Sequence, residues 1–103
     1  SKAALNWYVQ TLAATFGKRG VRCNAILPGV IRTAALDGWA NDKMVQGFVD
    51  IQNVPRLGLP EDIGAMAGYL ASDESSYVNG ALMRVDGGMS CTTPMVPVVR
   101  ACL

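Results

Sequence analysis

The sequence predicts an α/β fold built on parallel strands, and three observations point there. Apolar residues recur at helical spacing and then concentrate in short runs, in the order helix, strand, helix, strand. The two strand candidates are separated by a long stretch that itself carries helical patterns, which suits a parallel crossover and not a hairpin. Each candidate strand closes on Pro28-Gly29 or Gly87-Gly88, the punctuation of a tight turn.

From Ala3 to Phe16, Ala4, Leu5, Tyr8, Val9, Leu12, Ala13 and Phe16 fall on one face of a helix, and Gly17 is its expected stop. Val21–Leu27 is then a short, largely apolar run and reads as a buried strand, half of a βαβ unit whose first strand is not among these residues. Between Thr33 and Pro55 the pattern weakens. Asn41 there can cap a helix with Met44, Val45, Phe48 and Ile51 on one face, and the region is expected to be a mobile helical insert. Pro60 suits a first helical turn, Glu61 and Asp62 suit the positive end of the helix dipole, and Ile63, Met66, Ala67, Leu70 and Ala71 continue the stripe to about Ser72. A polar connection, Asp73–Asn79, leads to the second strand, Ala81–Asp86. The remainder, with Pro94 and Pro97, is expected to be irregular. Parallel strands normally have both faces covered, so two alone demand partner strands from elsewhere.

Composition narrows the function. The chain has 103 residues, 50% hydrophobic and 17% charged, the balance of an ordinary globular domain. Nine Lys and Arg against eight Asp and Glu, with no basic stripe, argue against nucleic acid as a partner. No apolar run approaches the roughly 20 residues needed to span a bilayer, so a membrane partner is not expected. Cys23, Cys91 and Cys102 are odd in number and form no C-x-x-C pair, and read as free thiols. With no histidine at all, the chain has neither a Ser/His or Cys/His nucleophile pair nor an imidazole metal ligand, and no metal site is expected.

Four segments resemble the signatures of one family, the short-chain dehydrogenases/reductases. Ser1-Lys2-Ala3-Ala4 is similar to the end of its Y-x-x-S-K-A helix, and Gly20–Thr33 to its G-[VI]-R-x-N-x-[IV]-x-P-G-x-[IV]-x-T strand and loop. Arg56–Ile63 resembles the R-x-G-x-P-E-[DE]-[IV] helix start, and Val85–Gly88 the V-D-G-G end. The four stand in the family's order over residues 1 to 88. The resemblance implies the C-terminal part of a Rossmann-like doubly wound parallel sheet in residues 1–88, followed by a tail, 89–103. It also implies that a Gly-rich cofactor turn, a catalytic serine and a catalytic tyrosine precede Ser1.

The residue whose implied role has the plainest physical reason is Lys2. In Y-x-x-x-K the two side chains lie four apart and share a helix face. A free tyrosine has a pKa of about 10, and a nearby cation can lower such a value by roughly 1–3, which makes the phenol usable near neutrality. By resemblance, Lys2 is a catalytic and cofactor-binding residue that also holds the nicotinamide ribose hydroxyls. Pro28, Gly29, Val30, Ile31 and Thr33 follow a strand's C-terminal end, where open α/β sheets bind ligands. The resemblance makes them contacts of NAD or NADP, with the Ile31 amide and the Thr33 hydroxyl as donors. Asn24, polar in an apolar strand, needs hydrogen-bond partners if buried. Trp39, Met44 and Phe48 are candidate linings of a substrate pocket under a lid.

The implied parent is a cytoplasmic NAD(P)-dependent oxidoreductase, a homotetramer or homodimer acting on a small-molecule alcohol or ketone. The competing expectation is a non-catalytic protein, a truncated reductase relic or an interaction module.

Overall fold

The helical spacing that opens the sequence becomes α1 (Lys2–Phe16), followed by β1 (Ala25–Pro28), α2 (Ala34–Asp37) and α3 (Asp42–Ile51). Then come α4 (Pro60–Ala71), β2 (Leu82–Val85) and α5 (Val96–Arg100), with single 3-10 turns at Gly17–Arg19, Asp73–Ser75 and Met89–Cys91. The structure is a computed structural model and describes residues 2–103. They gather into two units: the stretch up to Pro28 with Glu61–Val85, and Gly29–Pro60 with Asp86–Leu103.

In the first unit, α1 buries Val9 and Ala13, four residues apart and therefore one above the other on a single face. The α-helix ends at Phe16, so Gly17 follows it as the stop the sequence predicted. The chain tightens into the 3-10 turn, and Gly20, at φ 83°, takes the left-handed conformation that ends it, a position where a Cβ would be strained. Strands β1 and β2 pair in parallel, Ala25 opposite Leu82 through Pro28 opposite Val85. The α/β class with parallel strands is thus the one expected.

The strand expected at Val21–Leu27 is shorter at its start for a physical reason. Before Ala25 the regular ladder gives way to a mixture of backbone and side-chain bonds. The Cys23 amide donates to Asn79 Oδ1 (2.9 Å), and the Cys23 carbonyl accepts from the Gly80 amide (2.9 Å). Asn24, half-buried, donates to the Val78 carbonyl (3.1 Å) and accepts from the Ala81 amide (2.9 Å), so both ends of its amide are paired. Arg22 reaches Ser75, Val78, Leu70 and Ser72 at once. Ser75 is completely buried, and its hydroxyl donates toward the Leu70 and Ser72 carbonyls (3.0 Å each).

In the second unit the core is Leu36 and Leu57 with the buried amide side chain of Gln52. Gln52 Nε2 donates to the carbonyls of Val54 and Arg56, which satisfies its donors without water. Asn41 caps α3 as expected, accepting from the Met44 amide (2.9 Å). The last stretch is not irregular as expected: Pro97 sits in the first turn of α5, where its missing N–H costs nothing. No helix among the described residues is long and apolar enough to cross a membrane.

Candidate functional site

Strand β1 ends at Pro28, and the residues after it lie beyond the strand's carboxyl end, where open α/β sheets bind ligands. Gly29 comes first because nothing larger fits: a Cβ there would lie 2.6 Å from the Asp86 Cα. The sequence suggested a glycine that lets a ligand approach; the structure shows a glycine that lets the Asp86 backbone approach.

Val30, Ile31 and Arg32 then run beside Gly58 in a one-residue parallel bridge. The Gly58 amide donates to the Val30 carbonyl (3.0 Å), and the Arg32 amide donates to the Gly58 carbonyl (2.8 Å). That register turns the N–H and C=O of Ile31 itself to the opposite edge. The Ile31 amide makes no hydrogen bond among the described residues. Gly58, the glycine of the R-x-G-x-P segment, leaves room for the Ile31 side chain, since a Cβ would meet Ile31 Cδ1 at 2.5 Å.

Two residues on, Thr33 is extended (φ −131°, ψ 165°), and its Oγ1 accepts from the Leu36 amide (3.2 Å), capping α2. This role was not visible in the sequence, although a Thr three residues before a buried Leu is the signal for it. The cap uses the oxygen as acceptor and leaves the hydroxyl hydrogen available to a ligand. Arg32 pairs with Asp37 (2.8 Å) on the exposed surface, a contact worth little in stability.

The rings of Trp39 and Phe48 meet edge to face with centroids 6.4 Å apart, so the structure brings these two candidate pocket residues together. Trp39 remains 61% exposed, which leaves an aromatic face open to solvent. Met44 lies one turn before Phe48 on α3 and is also exposed. Lys2 stands in the first turn of α1, in the first unit with Pro28, while Gly29–Thr33, Trp39, Met44 and Phe48 belong to the second. The Lys2 ammonium is exposed and makes no ion pair or hydrogen bond among the described residues. Ser1, the other polar residue of that signature, lies outside them.

The profile of the family described as Enoyl-(Acyl carrier protein) reductase matches residues 1–90. The chain belongs to the short-chain dehydrogenase/reductase family. Within that family it is similar to the 7alpha-hydroxysteroid dehydrogenase of Clostridium sardiniense, 39% identical over 94 residues, 91% of this chain and 36% of that protein. It is also similar to an L-rhamnose 1-dehydrogenase (NAD(P)(+)) of a Sphingomonas species, 39% identical over 90 residues, 86% of this chain and 35% of that protein. A solved 4-hydroxyisoleucine dehydrogenase mutant, complexed with NADH and succinate, superposes with a TM-score of 0.83 at 33% identity, over 89% of this chain and 38% of its own. The chain thus spans little more than a third of the relatives it matches. The Rossmann-like class implied by the motifs is the class of these family members.

What the loop after β1 can do follows from its free groups. An outward amide at Ile31 and a hydroxyl hydrogen at Thr33, two residues apart, are two donors on one short segment. Such a pair suits a carboxamide or phosphate oxygen, the acceptors a nicotinamide nucleotide carries. These residues therefore fit NAD or NADP.

Proposed function

We propose that residues 1–88 of the chain are the C-terminal portion of the Rossmann-like domain of an NAD(P)-dependent oxidoreductase, followed by a tail at 89–103. The reaction is the interconversion of a secondary alcohol and a ketone by hydride transfer. The observation that carries this reading is the unbonded Ile31 amide beside the Thr33 hydroxyl at the end of β1. Membership of the family supplies the reaction class.

NAD or NADP, when bound, accepts or supplies the hydride. Ile31 and Thr33 would hold its carboxamide or phosphate oxygens, while Pro28, Gly29 and Val30 shape the backbone that presents them. Lys2 would hold ribose hydroxyls through its free ammonium. The same cation would favour the ionised form of a tyrosine one turn earlier on the helix, the group that exchanges a proton with the substrate oxygen. Trp39, Met44 and Phe48 would offer apolar and aromatic surface to the substrate. On this reading the tyrosine and the Gly-rich cofactor turn come from residues before Ser1, and the 103 residues alone are inactive. The whole enzyme is cytoplasmic and a homotetramer or homodimer, and its substrate is a small molecule.

The experiment is a nicotinamide turnover assay on the intact protein against a panel of secondary alcohols and ketones, with NAD and NADP in parallel. Absorbance change at the reduced nicotinamide band with at least one pair supports the reading. A folded intact protein that binds neither nucleotide and turns over no pair refutes it and leaves the non-catalytic alternative.

A further inference from the structure

Helix α3 ends at Ile51, and the carbonyls of a last helical turn have no donors within the helix. Here one donor comes from far along the chain, for Thr92 Oγ1 donates to the Ile51 carbonyl (2.8 Å). The same hydroxyl oxygen lies 3.3 Å from Asn53 Nδ2, which donates to it and to the Gly88 carbonyl (2.7 Å). The other end of that carboxamide, Asn53 Oδ1, accepts from the Arg100 guanidinium at the end of α5. Backbone bonds run alongside, from the Asn53 amide (2.7 Å) and the Val54 amide (3.0 Å) to the Gly87 carbonyl. Gly88, at φ 80°, is small enough for this approach, since a Cβ would sit 2.8 Å from Asn53 Nδ2. One exposed asparagine after a helix thus has both ends of its amide held by the segment 88–100.

We propose that this segment is a strap, with Thr92 and Arg100 as positioning residues that fix the C-terminal end of α3. Through α3 they set the place of Met44 and Phe48, and so of the aromatic pair that Phe48 forms with Trp39. Both residues lie beyond residue 90, where the family match ends. The consequence for substrate recognition rests on the function proposed above; the strap itself rests only on the geometry.

The test uses the intact protein with Thr92→Val, Arg100→Ala and Arg100→Lys, read by hydrogen exchange and by steady-state kinetics. Removing one net hydrogen bond should speed exchange at the Asn53 and Val54 amides about fivefold in the first two variants, with Arg100→Lys close to the unaltered protein. The KM for the alcohol or ketone should rise severalfold, with kcat and the nucleotide KM unchanged. Unchanged exchange overturns the strap, and faster exchange with an unchanged substrate KM overturns its positioning role. If the unaltered protein turns over no alcohol or ketone, the functional reading fails by itself, and the exchange rates still decide the strap.

Discussion

Replacing Arg22 with Met keeps a long unbranched stem and removes the guanidinium that ties β1's approach to the turn after α4. Two of its four bonds are short, Nη2 to the Leu70 carbonyl and Nη1 to Ser75 Oγ, both 2.9 Å; those to the Ser72 and Val78 carbonyls are 3.2 and 3.3 Å. A hydrogen bond from a charged donor contributes roughly 1.5–3 kcal/mol net. The carbonyls are not orphaned by the change, because the Ser75 hydroxyl still faces Leu70 and Ser72, and Asn24 still donates to Val78. No penalty for buried unpaired oxygens is therefore added, and the two short bonds at the low end of their range set the loss at about 3 kcal/mol. Ser75→Ala should cost about 1 kcal/mol, since it removes a fully buried hydroxyl but leaves the arginine with three carbonyls. The double variant should fall short of additivity by about 1 kcal/mol, the bond the two residues share. Urea unfolding of the intact protein reads all three as shifts in the midpoint at constant slope. A loss below about 1 kcal/mol for Arg22→Met, or full additivity with Ser75→Ala, would refute the account of the cluster.

Gly29→Ala must push against backbone and not against a flexible side chain, so it should lower stability by about 1–3 kcal/mol in the same unfolding assay; no loss would mean that Asp86 does not lie where the structure puts it. Thr33→Val removes the cap on α2 and should speed exchange of the Leu36 amide about fivefold, while Thr33→Ser keeps it slow. If the Thr33 hydroxyl also holds nucleotide, the nucleotide KM rises in the valine variant alone. Lys2→Met in the intact enzyme should depress turnover near neutral pH by about 10- to 1,000-fold and move the acid limb of the pH–rate profile upward, because removing the cation disfavours the ionised phenol. An unchanged profile would remove Lys2 from the mechanism.

Helices α1, α3 and α4 were legible because spacing and caps are local: the Asn41 cap and the Pro60-Glu61-Asp62 start both lie where the pattern puts them. The short helices were not. Four residues of α2 are too few for a period, and α5 lies among two prolines that read as breakers, Pro94 before it and Pro97 within its first turn. Gly17 was legible as the end of α1, but the 3-10 turn after it, closed by Gly20, rests on bonds that no local pattern shows. At the candidate site the motif named Ile31, but the reason its amide is free lies in a register with Gly58 that no local pattern encodes. The Asn53 contacts with Gly88, Thr92 and Arg100 were illegible for the same reason, since each spans more than thirty residues of sequence.

The polar residues that spoil the apolar run before β1 explain how the sheet finds its register. A parallel pair slipped by one residue would turn every side chain to the other face, yet the paired residues of β1 and β2 are half-buried or, at Pro28 and Arg84, exposed, and discriminate weakly between faces. Stronger selection comes from the entry to the strands. Asn24 is matched to Val78 and Ala81, and Cys23 to Asn79 and Gly80. The next ladder bond, from the Ala25 amide to the Ala81 carbonyl (2.9 Å), continues the same alignment. A slip by one residue breaks all of these at once and leaves the Asn24 amide without its partners, a cost of about 1–3 kcal/mol for each unpaired group. Asn24 therefore acts through the register of the sheet. By holding Ala25 opposite Leu82 it also places Pro28 opposite Val85, the last pair of the two strands.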